Sequence, residues 1–207
     1  MVFFNCRLPI EEKRKNSVLS VSPVNEVNGW WICLFFASRK TVAMNNTLSK
    51  HAPFERHVVL VAPEIHWNTG NIGRTCLGTG SVLHLIEPLG FSLENKRVKR
   101  AGLDYWPHVD VRTWNHFQAF FEAMAPAEEE ICLFTKSGSR SFWDMPPIDR
   151  MFLIFGSETK GLPPDILARY PDVHYCIPMT GAIRSLNLST AVGIVLYESL
   201  RNCIFPV

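Results

Sequence analysis

From His57 onward, short and almost wholly apolar runs alternate with stretches of helical periodicity, and that alternation leaves the chain few architectures. Val58 to Ala62, Val82 to Glu87, Ile131 to Thr135, Met151 to Phe155 and Val173 to Pro178 read as strands, with Val109 to Thr113 a weaker sixth. Several of these runs have no polar face, which predicts burial on both sides of a sheet. Helical patterns cover Ile72 to Gly80, Lys96 to Ala101, Trp114 to Ala125, Pro163 to Tyr170 and Leu188 to Asn202. In the last of these, Leu188, Val192, Val195 and Leu196 fall on one stripe that should be buried. Strand–helix alternation of this kind predicts an α/β fold, a mostly parallel sheet with helices on both faces. A chain of 207 residues, 47% hydrophobic, with 14 Phe and 6 Trp, has material for one large core and an appendage.

The appendage is residues 1–52. They show no sustained periodicity, carry the charge run Glu11-Glu12-Lys13-Arg14-Lys15, and include the apolar run Trp30 to Ala37, too short to span a bilayer. We expect a poorly ordered or misannotated extension, with Met44 as the plausible start; the other reading is an accessory RNA-binding arm led by Trp30, Trp31, Phe35 and Phe36. Residues 1–50 hold seven Lys/Arg against three Asp/Glu, leaving 14 against 16 for the rest, so the folded part is not broadly basic. An RNA partner would have to be held by local clusters such as Lys96, Arg97, Lys99 and Arg100. The six cysteines never form a Cys-x-x-Cys pair and the seven histidines show no ligand spacing, so neither a structural zinc site nor metal catalysis is expected. A reducing cytoplasm suits six scattered cysteines.

Three separated segments carry the chemistry. Asn68-Thr69-Gly70-Asn71-Ile72-Gly73-Arg74 follows a strand and opens a predicted helix, where free amides favour an anion such as a phosphate. Arg74 could grip that phosphate with two parallel hydrogen bonds; its plainer reading is a surface arginine. In Phe155-Gly156-Ser157-Glu158-Thr159-Lys160-Gly161-Leu162-Pro163, Gly156 would let a ligand lie against the backbone, and Glu158 is either a site residue or a carboxylate at a helix start. Ile177 to Ala191 runs from a strand end through a polar loop into a small-residue helix. There Ser185 and Asn187 are helix caps, ligand contacts, or both. Tyr197 on the last helix reads first as a core or interface aromatic.

These segments, in this order, resemble the SPOUT class of S-adenosylmethionine-dependent RNA methyltransferases, and within it the enzymes that methylate the ribose of the wobble nucleotide of tRNA. Leu85 to Phe91 and Lys96 to Tyr105 are also similar to that subfamily, so the resemblance runs from about His57 to Asn202. It implies a deep C-terminal trefoil knot over about 151–202, which periodicity alone does not predict and which is rare among folds. It further implies a homodimer that binds tRNA, with no metal and no membrane. By the same resemblance Arg74, Asn68, Glu158, Ser185 and Asn187 are active-site residues. Leu133, Gly156, Ile177, Met179, Ser185 and Leu186 then form the S-adenosylmethionine pocket, while Arg74, Lys96, Arg97, Lys99 and Arg100 bind RNA. The implied substrate is cytidine-34 or 5-carboxymethylaminomethyluridine-34, with leucine tRNA foremost. Arg74 is read as stabilising phosphate and oxyanion, since a guanidinium stays protonated and makes a poor base. The chain departs from the subfamily at Ser157 and Lys160, where proline and arginine are common, and at Ala182-Ile183, which replaces a polar pair. Other ribose methylations, on ribosomal RNA or elsewhere in tRNA, and a non-catalytic RNA-binding role stay open; a nicotinamide enzyme is disfavoured because no Gly-x-Gly-x-x-Gly turn follows the first strand.

Overall fold

The computed structural model describes residues 54–92 and 104–204, with side chains to Arg201. The extension 1–53 and the cationic cluster Lys96, Arg97, Lys99 and Arg100 lie outside the described residues. Seven strands, β1 (Glu55–Val61), β2 (Val82–Ile86), β3 (Val111–Trp114), β4 (Ile131–Phe134), β5 (Arg140–Ser141), β6 (Arg150–Phe155) and β7 (His174–Cys176), form one sheet. Their order is β3-β2-β1-β6-β4-β7-β5, and every pairing is parallel. Each apolar run predicted as a strand is one, and the weak sixth sits one or two residues later than expected. The two-residue edge strand β5 carries no periodic signal and was not anticipated.

Four helices accompany the sheet among the described residues: α1 (His66–Thr79), α2 (Phe117–Met124), α3 (Pro164–Arg169) and α4 (Leu188–Ile204). The alternation of side chains along β1 puts them on opposite faces. Arg56, 2% exposed, sends Nε to Ser199 Oγ (3.2 Å) and Nη2 to Ser199 O (3.1 Å), which fixes α4 over the even-numbered face. On the odd-numbered face, the His57 ring stacks on Phe152 at 4.4 Å, and Phe152 meets Phe120 of α2 edge-on at 5.8 Å. The predicted stripe Leu188, Val192, Val195 and Leu196 is buried to 1% exposure or less. Tyr197, in contrast, is 57% exposed and is not a core aromatic. Burial pushes the free thiols of Cys76 and Cys132 up to about 12, so both behave as small inert apolar groups. No helix among the described residues is long and apolar enough to cross a membrane.

A polar chain crosses the odd-numbered face of the sheet. Trp114 Nε1–H, which can only donate, reaches His84 Nδ1 at 3.0 Å, and His84 Nε2 lies 3.0 Å from His57 Nδ1. The fixed donor assigns both neutral tautomers, with the His84 proton on Nε2 and the His57 proton on its own Nε2, facing Glu55 at 3.7 Å. A further proton on either ring would place two donors face to face. Burial, then the His57 ring and Arg112, push His84 down to about 3, and burial also lowers His57 against the pull of Glu55. Because the folded pKa lies below the unfolded value near 6.5, the unfolded chain binds the proton first, and stability drains as pH falls from 6.5 toward 3. At pH 5 the His84 contribution to that loss is about 2 kcal/mol, or roughly 4–8 °C in Tm. Thermal melts at pH 7 and pH 5 should show a smaller acid shift in His84→Gln than in the parent chain; equal shifts would remove His84 as the cause.

Candidate active site

Strand order reverses direction between β1 and β6, and the crevice outside the carboxyl ends of strands at such a point is where open α/β sheets bind ligands. The segment leaving β1 supplies Glu64, Ile65 and Asn68, and the segment leaving β6 supplies Glu158. Between them and the loop before α4 lies a cleft of about 220 Å³, lined by Ile65, Asn68, Glu158, Ser185, Leu186, Asn187 and Leu188. All three motifs therefore meet here, although they are about 90 and 30 residues apart in the chain.

A single directional hydrogen-bond chain joins them. Glu158, 2% exposed, accepts at Oε2 from Glu64 N (2.8 Å) and at Oε1 from Ile65 N (3.2 Å) and Asn68 Nδ2 (2.9 Å). Asn187 Nδ2 donates to Asn68 Oδ1 at 2.9 Å, while Asn187 Oδ1 accepts from Ser189 N (2.8 Å) and Ser189 Oγ (2.7 Å) at the start of α4. The ends determine both amide orientations, since a carboxylate only accepts and a helix N–H only donates. One Nδ2 hydrogen of Asn68 remains for a group in the cleft. Asn187 thus caps α4 and also lines the cleft.

The first motif is placed differently from expectation. Helix α1 starts at His66 rather than Ile72, so Asn68 to Arg74 lies inside the helix and not in a phosphate-cradling turn. Its cap residue Ile65 has no side-chain acceptor. The anion that satisfies the amides at this helix start is Glu158, from β6. Glu158 is therefore a helix-start carboxylate, but of a distant helix rather than its own. Asn68 and Arg74 are six residues apart, about 120° around α1, and Arg74 does not line the cleft. Exposed Arg74 lies over the Tyr105 ring at 4.5 Å, and Tyr105 Oη donates to Gly70 O at 2.9 Å. Tyr105, for which the sequence suggested no role, holds the guanidinium against the helix. What approaches Gly73 is the Trp106 ring, which a Cβ there would meet at 2.4 Å.

Gly156 also owes its identity to the chain itself. A Cβ would sit 1.9 Å from Gly161 C and 2.1 Å from Leu162 N, because residues 157–161 double back on it. Ser157 N donates to Gly161 O at 3.1 Å and Gly161 N to Ser157 O at 2.9 Å. A proline at position 157 could not make the first bond, so Ser157 closes the turn that presents Glu158. Of the expected cofactor residues, Ser185 and Leu186 line the cleft; Leu133, Gly156, Ile177 and Met179 do not. Leu133 instead lies within β4, level with Ile154 of β6 and His174 of β7, while Gly156 and Ile177 directly follow β6 and β7; half-buried Met179 and Leu186 pack against the core. Apolar walls beside main-chain groups at strand ends suit an adenine with a polar edge, while the cleft mixes the apolar walls of Ile65, Leu186 and Leu188 with the polar groups of Asn68, Glu158, Ser185 and Asn187. Ile65 and Leu188 are lining residues that the motifs did not point to, since both read simply as apolar. Among the described residues no three His, Cys, Asp or Glu side chains gather as metal ligands would.

The chain is similar to several known proteins. A tRNA (cytidine(34)-2'-O)-methyltransferase of Burkholderia ambifaria is 45% identical over 150 residues, spanning 72% of this chain and 96% of the relative. A solved structure concerned with 2-OH methylation of C/U34 on tRNA superposes with a TM-score of 0.66 at 47% identity, covering 72% of this chain and 96% of that one. The AdoMet-bound rRNA methyltransferase from Sinorhizobium meliloti superposes with a TM-score of 0.63 at 25% identity, over 72% of this chain and 56% of that one. The SpoU rRNA methylase family matches residues 55–197, so the switch-point cleft, its Glu158–Asn68–Asn187 chain, all of α1 and the first part of α4 fall within it, and this chain belongs to that family.

Proposed function

We propose that the protein transfers the methyl group of S-adenosylmethionine to the ribose 2'-hydroxyl of the wobble nucleotide of tRNA, at cytidine-34 or 5-carboxymethylaminomethyluridine-34, with leucine tRNA the first substrate to try. The observation that carries this reading is the Glu158–Asn68–Asn187 chain, which fixes the Asn68 amide in the wall of a cleft of about 220 Å³ beside the strand ends. The likeness to a cytidine-34 methyltransferase supports the nucleotide. S-adenosylmethionine supplies an already activated methyl, so the remaining task is alignment and proton removal. In that task Asn68 orients the ribose, Glu158 holds Asn68, Ser185 and Asn187 flank the reacting oxygen, and Leu133, Gly156, Ile177, Met179 and Leu186 seat the adenosine. Arg74, which lies outside this protomer's cleft, takes a phosphate, and stabilises negative charge on the oxygen, as the proton leaves to solvent, once the bound RNA or the dimer brings it to the ribose. Lys96, Arg97, Lys99 and Arg100 add salt-dependent backbone contacts.

The same reading makes residues 151–202 a deep trefoil knot, a proposal that accords with β6 lying between β1 and β4 and with the loop before α4 returning to Asn68. It makes the protein a cytoplasmic homodimer, supported by Leu77 on α1 and Ile194 and Tyr197 on α4, which stay 37%, 40% and 57% exposed on two helices that pack together. It assigns activity to residues 53–207 and treats residues 1–52 as dispensable.

The test is to incubate the full chain with labelled S-adenosylmethionine and tRNA lacking wobble ribose methylation, then map the label by nuclease digestion and mass spectrometry. Label on the wobble ribose is the expected result, with Arg74→Ala lowering kcat/KM roughly 100- to 1,000-fold, the cost of losing one charge-stabilising donor. Label elsewhere in tRNA or in ribosomal RNA would replace the substrate, and donor binding without label would replace the enzyme with a binding protein. Equal activity from a chain lacking residues 1–52 would support the domain assignment.

A further inference from the structure

In the first turn of α1, next in the chain to the cleft-lining Asn68, an aromatic side chain is left in water where the fold does not require it. Trp67 lies between the lining residues Ile65 and Asn68 and is 58% exposed. Side chains in the first turn of a helix lean toward its N-terminus, and here that end is the cleft. The Trp67 ring is not loose. His66 packs against it at 4.5 Å with a 39° tilt, and the His66 ring in turn faces Phe91 at 6.4 Å. The three rings form a short ladder whose outer end is the exposed indole. A tryptophan that leaves over half its surface exposed forgoes much of the burial that such a large ring offers, so its position needs another reason. The loops around the same cleft present exposed cations, Lys160 two residues after Glu158 and Arg184 next to Ser185.

We propose that Trp67 is a stacking platform for an unpaired nucleobase of the substrate RNA, beside the nucleotide whose ribose enters the cleft. Bases splayed from single-stranded loops stack on aromatic side chains while cations follow the phosphates, and an anticodon loop offers such bases. The ladder through His66 to Phe91 holds the indole in one orientation before RNA arrives, so less ordering is required on binding. The inference rests on the tRNA reading for the identity of its partner, while the geometry of the rim stands independently.

The experiment compares the full chain with Trp67→Ala and Trp67→Phe. We expect Trp67→Ala to raise KM for tRNA about 5- to 100-fold, the range of a lost base–aromatic stack, with kcat within roughly twofold, and Trp67→Phe to restore most of the affinity. The Kd for S-adenosylmethionine should be unchanged, as should the sedimentation coefficient. An unchanged KM in Trp67→Ala overturns the proposal. A weakened donor Kd overturns it in favour of an adenine contact, and a change of oligomeric state in favour of a contact between copies. Should the parent chain methylate no tRNA at all, the tRNA reading fails separately, and the platform is still tested with an anticodon stem-loop RNA. That RNA should quench the parent's tryptophan fluorescence more than that of Trp67→Phe; equal quenching overturns the platform.

Discussion

Replacing Glu158 with leucine is expected to lower methyl transfer by at least about 100-fold and stability by roughly 3 kcal/mol, or about 6–12 °C in Tm. The reason is geometric. One buried carboxylate accepts from Glu64 N, Ile65 N and Asn68 Nδ2, and among the described residues it is the only side-chain acceptor at the start of α1, whose cap Ile65 offers none. Removing it leaves the Asn68 amide buried with an unsatisfied donor, at a cost of about 1–3 kcal/mol, and weakens both backbone bonds at the helix start. Activity falls because Asn68 is no longer held at both ends, and a misplacement near 1 Å is enough to cost about 100-fold. Glu158→Gln keeps one acceptor but turns an NH2 toward one of the donors, so its effects should have the same sign and lie in between. Calorimetry and initial rates on the three proteins check the order, and a leucine variant that melts with the parent would refute the capping role.

Gly156→Ala should be more damaging still to folding, with little soluble protein recovered. Its methyl would meet Gly161 C, Leu162 N and Gly161 O at 1.9, 2.1 and 2.2 Å, all backbone atoms that no rotamer change can move. Relief requires opening the turn, which breaks the reciprocal bonds between Ser157 and Gly161 and withdraws Glu158 from α1. Overpacking typically costs about 1–3 kcal/mol, and the two backbone bonds bring the expected loss to about 3 kcal/mol or more. Gly78→Ala is the control, since a Cβ there meets nothing within 4 Å, and a helical alanine should stabilise by about 0.5–1 kcal/mol. A Gly156→Ala protein that expresses and melts like the parent would show that the turn yields easily.

The contrast between these two glycines marks where local information ends. Which residues form strands was legible because burial on both faces leaves a continuous apolar run, and Val58 to Val61 or Phe152 to Phe155 cannot be read otherwise. The stripe of α4 was legible for the same reason, its 3.6-residue period being a local property. Asn187 could be read as a cap because a cap acts within three residues. The start of α1 could not be read: its cap comes from Glu158, more than 90 residues away, and no signal near Ile65 announces it. Gly156, read as a ligand position, is also constrained by the backbone of Gly161, and Arg74 lies about 120° around α1 from Asn68; the motifs announce neither.

From the sequence alone came the element types, the buried stripes, the three motifs and, through their resemblance, the chemistry to expect. Only the tertiary structure decided the strand order, which element satisfies which, and that the motifs converge at the switch point between β1 and β6. Periodicity records how each segment meets water, which is local. Sheet order and a helix capped from a distant strand are properties of the closed chain, set by which partners remain once every buried polar group must be satisfied.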